Sequence, residues 1–345
     1  MATASASAKA TASASATAAA DPLGTKEWPP AVVDLHVDTP FRVHLKDRPL
    51  GLPHGHVTPD KAKQGGYVGI AWVIYIPDYL HKKHPRVGDA DEILGIIDKM
   101  VAEHESFQFS PAEGGHRRLV KAEPGSAVTV FLAVEGAGAF AEDIEQIDRF
   151  IDRGVRLVGL VHAHDNALCT SATGDRQGGL TDLGKQFARR VYDRGALVDV
   201  SHMSDEAFRD LVPIAEAAKA PIIATHSNAR ALRDHKRNLT DEQLRIIGNS
   251  GGVAGLNLHR SYVRRKSAKL THAADHAMHM IQVAGIDHVA LGSDFDGGSP
   301  VKGLEDSSRW PALAEELRKR GLSDGDVRKM FSRNALRVLR WTRPE

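Results

Sequence analysis

Residues 196–226 read ALVDVSHMSDEAFRDLVPIAEAAKAPIIATH and contain a complete strand–helix–strand unit. ALVDVSH (196–202) and PIIATH (221–226) are short runs rich in apolar and β-branched residues. Near-continuous apolar character marks a parallel strand covered on both faces. Between them, Asp205 to Ala218 carries apolar residues at helical spacing, with Ser204 and Asp205 in capping position. The unit predicts a parallel sheet. It also puts a histidine at the same end of two strands.

Working outward, the same strand signature recurs at VVDLHVD (32–38), GYVGIAWVIYI (66–76), VTVFLAVE (128–135), VRLVGLVH (155–162), GVAGLNL (252–258) and HVALGSD (288–294). Helical spacing returns between them, at Asp89 to His104, Ala141 to Asp152, Leu183 to Arg194, Asp241 to Asn249 and Thr271 to Ala284. Gly154, Gly195 and Gly285 each stand just ahead of a strand, as helix C-caps do. Eight alternating units predict an α/β fold, a closed (β/α)8 TIM barrel. A doubly wound open sheet is disfavoured, because no G-x-G-x-x-G follows the first strand. Trp310 to Arg340 reads as two closing helices. No linker divides the chain, so residues 25–345 are expected to form a single barrel domain. Residues 1–24, almost all Ala, Ser and Thr at the start, are expected to be a disordered tail.

Composition narrows the function classes. The 345 residues carry 45 basic and 44 acidic side chains, a net charge of +1. That balance gives no clustered basic surface for nucleic acid or membrane. No apolar window approaches the roughly 18 residues of a spanning helix. The single cysteine, Cys169, excludes an intrachain disulfide. With no secretory signal pattern, it points to a reducing, cytoplasmic compartment. The 18 histidines are an excess that matters only where they converge.

Several polar residues stand at strand ends: His36 and Asp38, Glu135, His162, His202, His226 and Asp294. Active sites of (β/α)8 barrels lie at the C-terminal ends of the strands, so these seven are expected to share one mouth. In H-x-D at 36–38 the side chains face the same way, offering an imidazole and a carboxylate to one ion. Glu135 ends an apolar strand, where an unpaired carboxylate is costly. His36, Asp38, Glu135, His202 and His226 together make a nitrogen/oxygen set suited to Zn2+, and less specifically to Mn2+ or Co2+. Five ligands exceed the need of one tetrahedral ion. Two ions sharing Glu135 is the economical arrangement.

Here the sequence resembles the membrane (renal) dipeptidases, peptidase family M19, a branch of the amidohydrolase superfamily. The carrying segments are DLHVDTP (34–40), VEG (134–136), LVH (160–162), SATG (171–174), GLT (179–181), LVDVSHMSD (197–205), THSNAR (225–230), RN (237–238), GSDFDG (292–297) and NALRV (334–338). Each is short, but all in this order are specific. The resemblance implies a binuclear zinc dipeptidase acting on small dipeptides, tolerant of a D-residue at the C-terminal position. It implies His36, Asp38 and Glu135 as ligands of one Zn2+, and Glu135, His202 and His226 as ligands of the other, with a hydroxide bridging the two. It implies His162 as a substrate and oxyanion contact, Arg237 as the group that binds the substrate carboxylate, and Asp294 as the acid/base. The residues alone do not separate Asp294 from Asp296. The first is favoured because it continues the strand. A homodimer is a further family expectation. Alternatives are an amidohydrolase acting on N-acyl amino acids or lactones, or a non-catalytic metal-binding relative.

The chain departs from the family pattern at Ala137, Val161, Ala163 and Arg333, none of which removes a ligand. Other histidines are read as bystanders. His54 and His56 lie among Pro and Gly in a loop and are expected at the entrance. His272, His276 and His279 share a helix face and are expected to be solvated. His164 is a weaker candidate for the substrate contact, and Cys169 a small structural residue.

Overall fold

The computed structural model describes residues 28–46, 55–80, 84–110 and 126–342. The expected tail and His54 lie outside the described residues. Among those described, nine strands form one all-parallel sheet: β1 (Val32–Val37), β2 (Tyr67–Tyr75), β3 (Phe107–Phe109), β4 (Val128–Glu135), β5 (Val155–Gly159), β6 (Leu197–Asp199), β7 (Ile223–Ala224), β8 (Val253–Leu256) and β9 (Val289–Leu291). Eight of them close a ring in the order β1–β2–β4–β5–β6–β7–β8–β9. The fold is the (β/α)8 barrel read from the strand–helix alternation.

The seam between β2 and β4 runs in continuous register from Gly69↔Thr129 to Tyr75↔Glu135. β1 meets β9 more thinly, at Asp34↔Leu291, with a bridge from Val37 to Phe295. β1 and β4 are buried along their whole length, which explains their unbroken apolar sequence. The short extra strand β3 pairs with the beginning of β4 outside the ring. Its FQF sequence is too brief to show a strand period.

Two expectations are corrected in detail. Several strands end before the polar residues they were expected to carry. β6 stops at Asp199 and β9 at Leu291, while His202 and Asp294 sit in left-handed backbone, with φ of 71° and 62°. One cause is visible at Asp199, whose Oδ1 accepts from the backbone N–H of Ser201 (2.9 Å) and of Thr225 (2.8 Å). A side chain thus takes over from the ladder where β6 and β7 end.

The second correction concerns two helical segments. Ala141 to Asp152 is divided into a 3-10 turn (Ile144–Gln146) and a helix from Ile147 to Arg153, and a further 3-10 turn, Ala137–Phe140, precedes it. Asp143 accepts from Glu145 N and so restarts the chain there. The C-terminal stretch forms three helices, Trp310–Lys319, Asp324–Arg328 and Asn334–Leu339, the last two joined by a π-helical turn. Helices Val87–Glu103, Asp182–Asp193, Asp205–Ala217, Asp241–Asn249 and Leu270–Ala284 lie within two residues of expectation. Among the described residues, no helix is long and apolar enough to cross a membrane.

Candidate metal centre and active site

The strand ends bring five side chains into one buried cluster. His36 and Asp38 come from the end of β1, Glu135 is the last residue of β4, and His202 and His226 follow β6 and β7. Glu135 stands between two groups. Its Oε2 lies 3.6 Å from His36 Nε2, which lies 3.5 Å from Asp38 Oδ2. Its Oε1 lies 3.0 Å from His202 Nε2 and 3.5 Å from His226 Nε2. One carboxylate oxygen therefore faces each group.

These donors fit divalent cations. His36 Nε2, Asp38 Oδ1, Glu135 Oε1 and His202 Nδ1 are buried with no hydrogen-bond partner. Unpaired polar atoms are costly in a protein interior, and the convergence of the first three is best explained by a group they hold together. Ligand-capable atoms within 4.8 Å of one another also form the sets His36/Asp38/Asp294, Glu135/His162/His202 and His36/Asp199/His226.

The local electrostatics point the same way. Burial lowers His202 and His226 far below the ordinary imidazole range, with Arg237 adding to the effect on both. They are therefore neutral, as ligating imidazoles must be. Burial opposes the charge on Glu135, but His36, His162 and His202 around it hold its carboxyl well below the usual range. Burial alone would lower His36; the Glu135 and Asp38 carboxylates instead hold it well above its ordinary value.

The flanking groups occupy the same cavity, of about 470 Å3. Its walls include Asp38, Phe41, Tyr75, Glu135, His162, His202, His226, Tyr262 and Asp294. His162 packs on the His202 ring at 4.4 Å between centroids; its Nδ1 lies 3.2 Å from Tyr75 Oη and 3.6 Å from Asp78 Oδ2. The Asp294 carboxyl is pushed up to about 7 by burial and then by the neighbouring Asp38 charge. Asn257 Nδ2 donates to its Oδ2 at 3.1 Å. Asp296, by contrast, is fully engaged: it accepts from Thr39 Oγ1 (2.7 Å), Arg42 Nη1 (2.8 Å) and the His56 backbone (2.8 Å). Arg237 is buried beside the cavity wall. It donates to Ser227 Oγ (3.3 Å) and to the His226 carbonyl (3.2 Å), its Nε is unpaired, and its guanidinium lies 5.4 Å from the Tyr262 ring.

The bystander histidines divide. His56 Nδ1 accepts from the Asp296 backbone at 2.9 Å and braces that loop. His164 is half exposed, with Nδ1 3.7 Å from Asp78. His276 corrects the expectation of a solvated helix face. It is 1% exposed, accepts from Ala229 N at Nδ1 (3.2 Å) and donates from Nε2 to the Val263 carbonyl (3.0 Å). His279 pairs with Asp241 at 2.8 Å. Cys169 is buried, and burial pushes its thiol far up, leaving it inert.

Sequence reasoning missed the neighbours that orient the cluster. Asn257, Asp78 and Tyr75 lie in no quoted motif, and Asp199 and Thr225 lie in the segments LVDVSHMSD and THSNAR without any role there that separates them from ordinary polar strand-end residues. The one available signal was adjacency: Thr225 precedes His226, and Asp199 lies three residues before His202.

Comparison with known proteins identifies the family and the fold. The sequence model of the membrane dipeptidases (peptidase family M19) matches residues 29–343. An uncharacterised dipeptidase of Schizosaccharomyces pombe is 29% identical over 341 residues, covering 91% of this chain and 80% of that protein. Among solved structures, a dipeptidase of family M19 superposes with a TM-score of 0.80 at 28% identity, covering 90% of this chain and 98% of the other. A metallopeptidase from Rhodobacter sphaeroides, bound to a phosphinate mimic of L-Ala-D-Ala, gives 0.79 at 27% identity, with 90% and 99% covered.

Proposed function

The chain belongs to the membrane dipeptidase family, peptidase family M19, and from that premise we propose that this metal-dependent dipeptidase binds two divalent ions, Zn2+ by preference, and cleaves small dipeptides, including those ending in a D-residue. The observation that carries the reading is the division of Glu135, one oxygen toward His36 and Asp38 and the other toward His202 and His226. His36, Asp38 and Glu135 would hold one ion, and Glu135, His202 and His226 the second. Ions bound there supply Lewis acidity, polarising a carbonyl and lowering the pKa of water.

The chain's own groups do the rest. Arg237 presents a planar, permanently charged fork suited to a terminal carboxylate. His162, held by Tyr75 and Asp78, offers an N–H to the oxygen on which negative charge develops. Asp294 is oriented by Asn257 through Oδ2. Its other oxygen takes the proton of the attacking water and passes it to the departing amine. A cavity of about 470 Å3 suits a small ligand. Tolerance of a D-residue draws support from the relative bound to an L-Ala-D-Ala mimic.

The test is a kinetic panel: L-X-L-X and L-X-D-X dipeptides, their C-terminal amides, N-acetyl amino acids and a lactone, each with the Zn2+-loaded enzyme. Free dipeptides of both configurations should be cleaved and the amides cleaved poorly. Arg237→Lys should raise KM for free dipeptides more than it lowers kcat. Preference for N-acetyl amino acids or the lactone would overturn the substrate assignment.

A further inference from the structure

Asp199 falls within ligand distance of His36 and His226, yet its oxygens are already committed. Oδ1 accepts from the backbone N–H groups of Ser201 and Thr225. Oδ2 lies 2.5 Å from Thr225 Oγ1. The carboxylate oxygen is the acceptor in that contact and the Thr225 hydroxyl the donor. Its single proton is then spent. The same oxygen lies 2.8 Å from His226 Nδ1 and 3.2 Å from His36 Nδ1. With its proton on Asp199, it can only accept from both rings. Ser201 Oγ, at 3.4 Å, is the more distant neighbour.

We propose that Asp199 and Thr225 are positioning residues that set the tautomer of two metal ligands at once. Each ring carries a proton on Nδ1 and turns Nε2 toward Glu135. The inference rests on reading His36 and His226 as ligands, one in each group. A metal-ligating histidine needs its other ring nitrogen held by an acceptor, and loss of that acceptor typically weakens metal binding by about 10- to 100-fold. Here one hydroxyl serves one histidine from each group. The ordering of both sites therefore depends on a single donor–acceptor choice made by Asp199.

The isosteric variant Asp199→Asn gives the sharpest test. Its carbonyl oxygen can still accept from Ser201 and Thr225, but its amide now donates to Thr225. The hydroxyl proton then turns toward the nearer imidazoles rather than the more distant Ser201 Oγ, and the ring that accepts it takes the Nε2–H form and does not ligate through that nitrogen. Thr225→Val removes the shared acceptor, and Thr225→Ser restores it. The measurements are Zn2+ affinity and stoichiometry by chelator competition, and histidine tautomers by 15N NMR of the Zn2+-loaded protein. Asp199→Asn should lose tight binding of one ion. Thr225→Val should weaken both by about 10- to 100-fold, and Thr225→Ser should recover wild-type affinity. The NMR should show both rings protonated at Nδ1. Wild-type affinity and stoichiometry in Asp199→Asn and Thr225→Val, or either ring protonated at Nε2 in the wild type, would overturn the inference. A wild-type protein that binds no Zn2+ would instead overturn the reading of the metal centre.

Discussion

Two glycines set how closely neighbouring strands approach the histidine after β7. A Cβ on Gly292 would lie 1.7 Å from the Thr225 carbonyl oxygen, and one on Gly255 would lie 1.9 Å from the same atom. Backbone cannot yield as a side-chain tip can. Gly292→Ala is therefore expected to destabilise the protein by about 3 kcal/mol, the upper range for overpacking, and to displace Thr225. Urea denaturation and metal content read both effects; unchanged stability would show that the strands have slack here. His276 gives the opposite prediction for metal. His276→Leu strips partners from Ala229 N and the Val263 carbonyl, both served by one buried ring. An unsatisfied buried polar group costs about 1–3 kcal/mol, so the denaturation midpoint should fall while Zn2+ stoichiometry stays at the wild-type value. A lost ion would mean that the histidine contributes to the metal centre.

Between elements, the junction that matters most for Arg237 is the pair Asp205–Arg230. Arg230 donates to both Asp205 oxygens at 2.7 Å and from Nε to the Asn238 carbonyl. It thereby ties the start of helix Asp205–Ala217 to the loop that carries Arg237. The Arg230 hydrogen bonds hold the Asp205 carboxyl below its ordinary value of 3.8. A depressed folded pKa means that the folded state binds fewer protons than the unfolded one. The resulting stability is present above about pH 4 and is lost as pH falls through the lower, folded value. Asp205→Asn should cost about 1 kcal/mol, discounted for partial exposure. The cost should be equal at pH 7 and pH 5 and smaller near pH 3. A cost that grows with acidity would contradict the sign. This level was partly legible beforehand. Strand and helix alternation gave the barrel because parallel strands bury both faces and so repeat an apolar signature. The ladder ends were not legible, because side chains such as Asp199 replace backbone partners there, and His202 and Asp294 adopt backbone that no strand pattern announces. The candidate ligands were legible as polar interruptions of apolar runs. Thr225 and Asp199 were hidden because their importance lies in whom they touch.

At the scale of the whole barrel, the candidate ligands come from β1, β4, β6 and β7, strands spaced around the ring, with Asp294 following β9. The closure between β1 and β9 is completed at the mouth by backbone hydrogen bonds, from Asp294 N to the His36 carbonyl (3.1 Å) and from Asp38 N to the Phe295 carbonyl (2.9 Å). The Asp38, Glu135 and Asp294 carboxyls share one cavity, and His36 Nε2, Asp38 Oδ1 and Glu135 Oε1 lack hydrogen-bond partners. Ions that bind the folded chain and not the unfolded one stabilise it by mass action, by about 2.7 kcal/mol per site when free metal is 100 times Kd. Chelation should therefore lower Tm by several degrees for a chain of this size, and Zn2+ should restore it. The restored Tm should keep rising with the logarithm of free Zn2+. The Glu135→Gln variant should lose most of that metal-dependent gain, since it weakens the one residue facing both groups. A Tm that ignores both chelator and Zn2+, in a protein shown to gain and lose the ions, would mean that the ring is held without the metal centre.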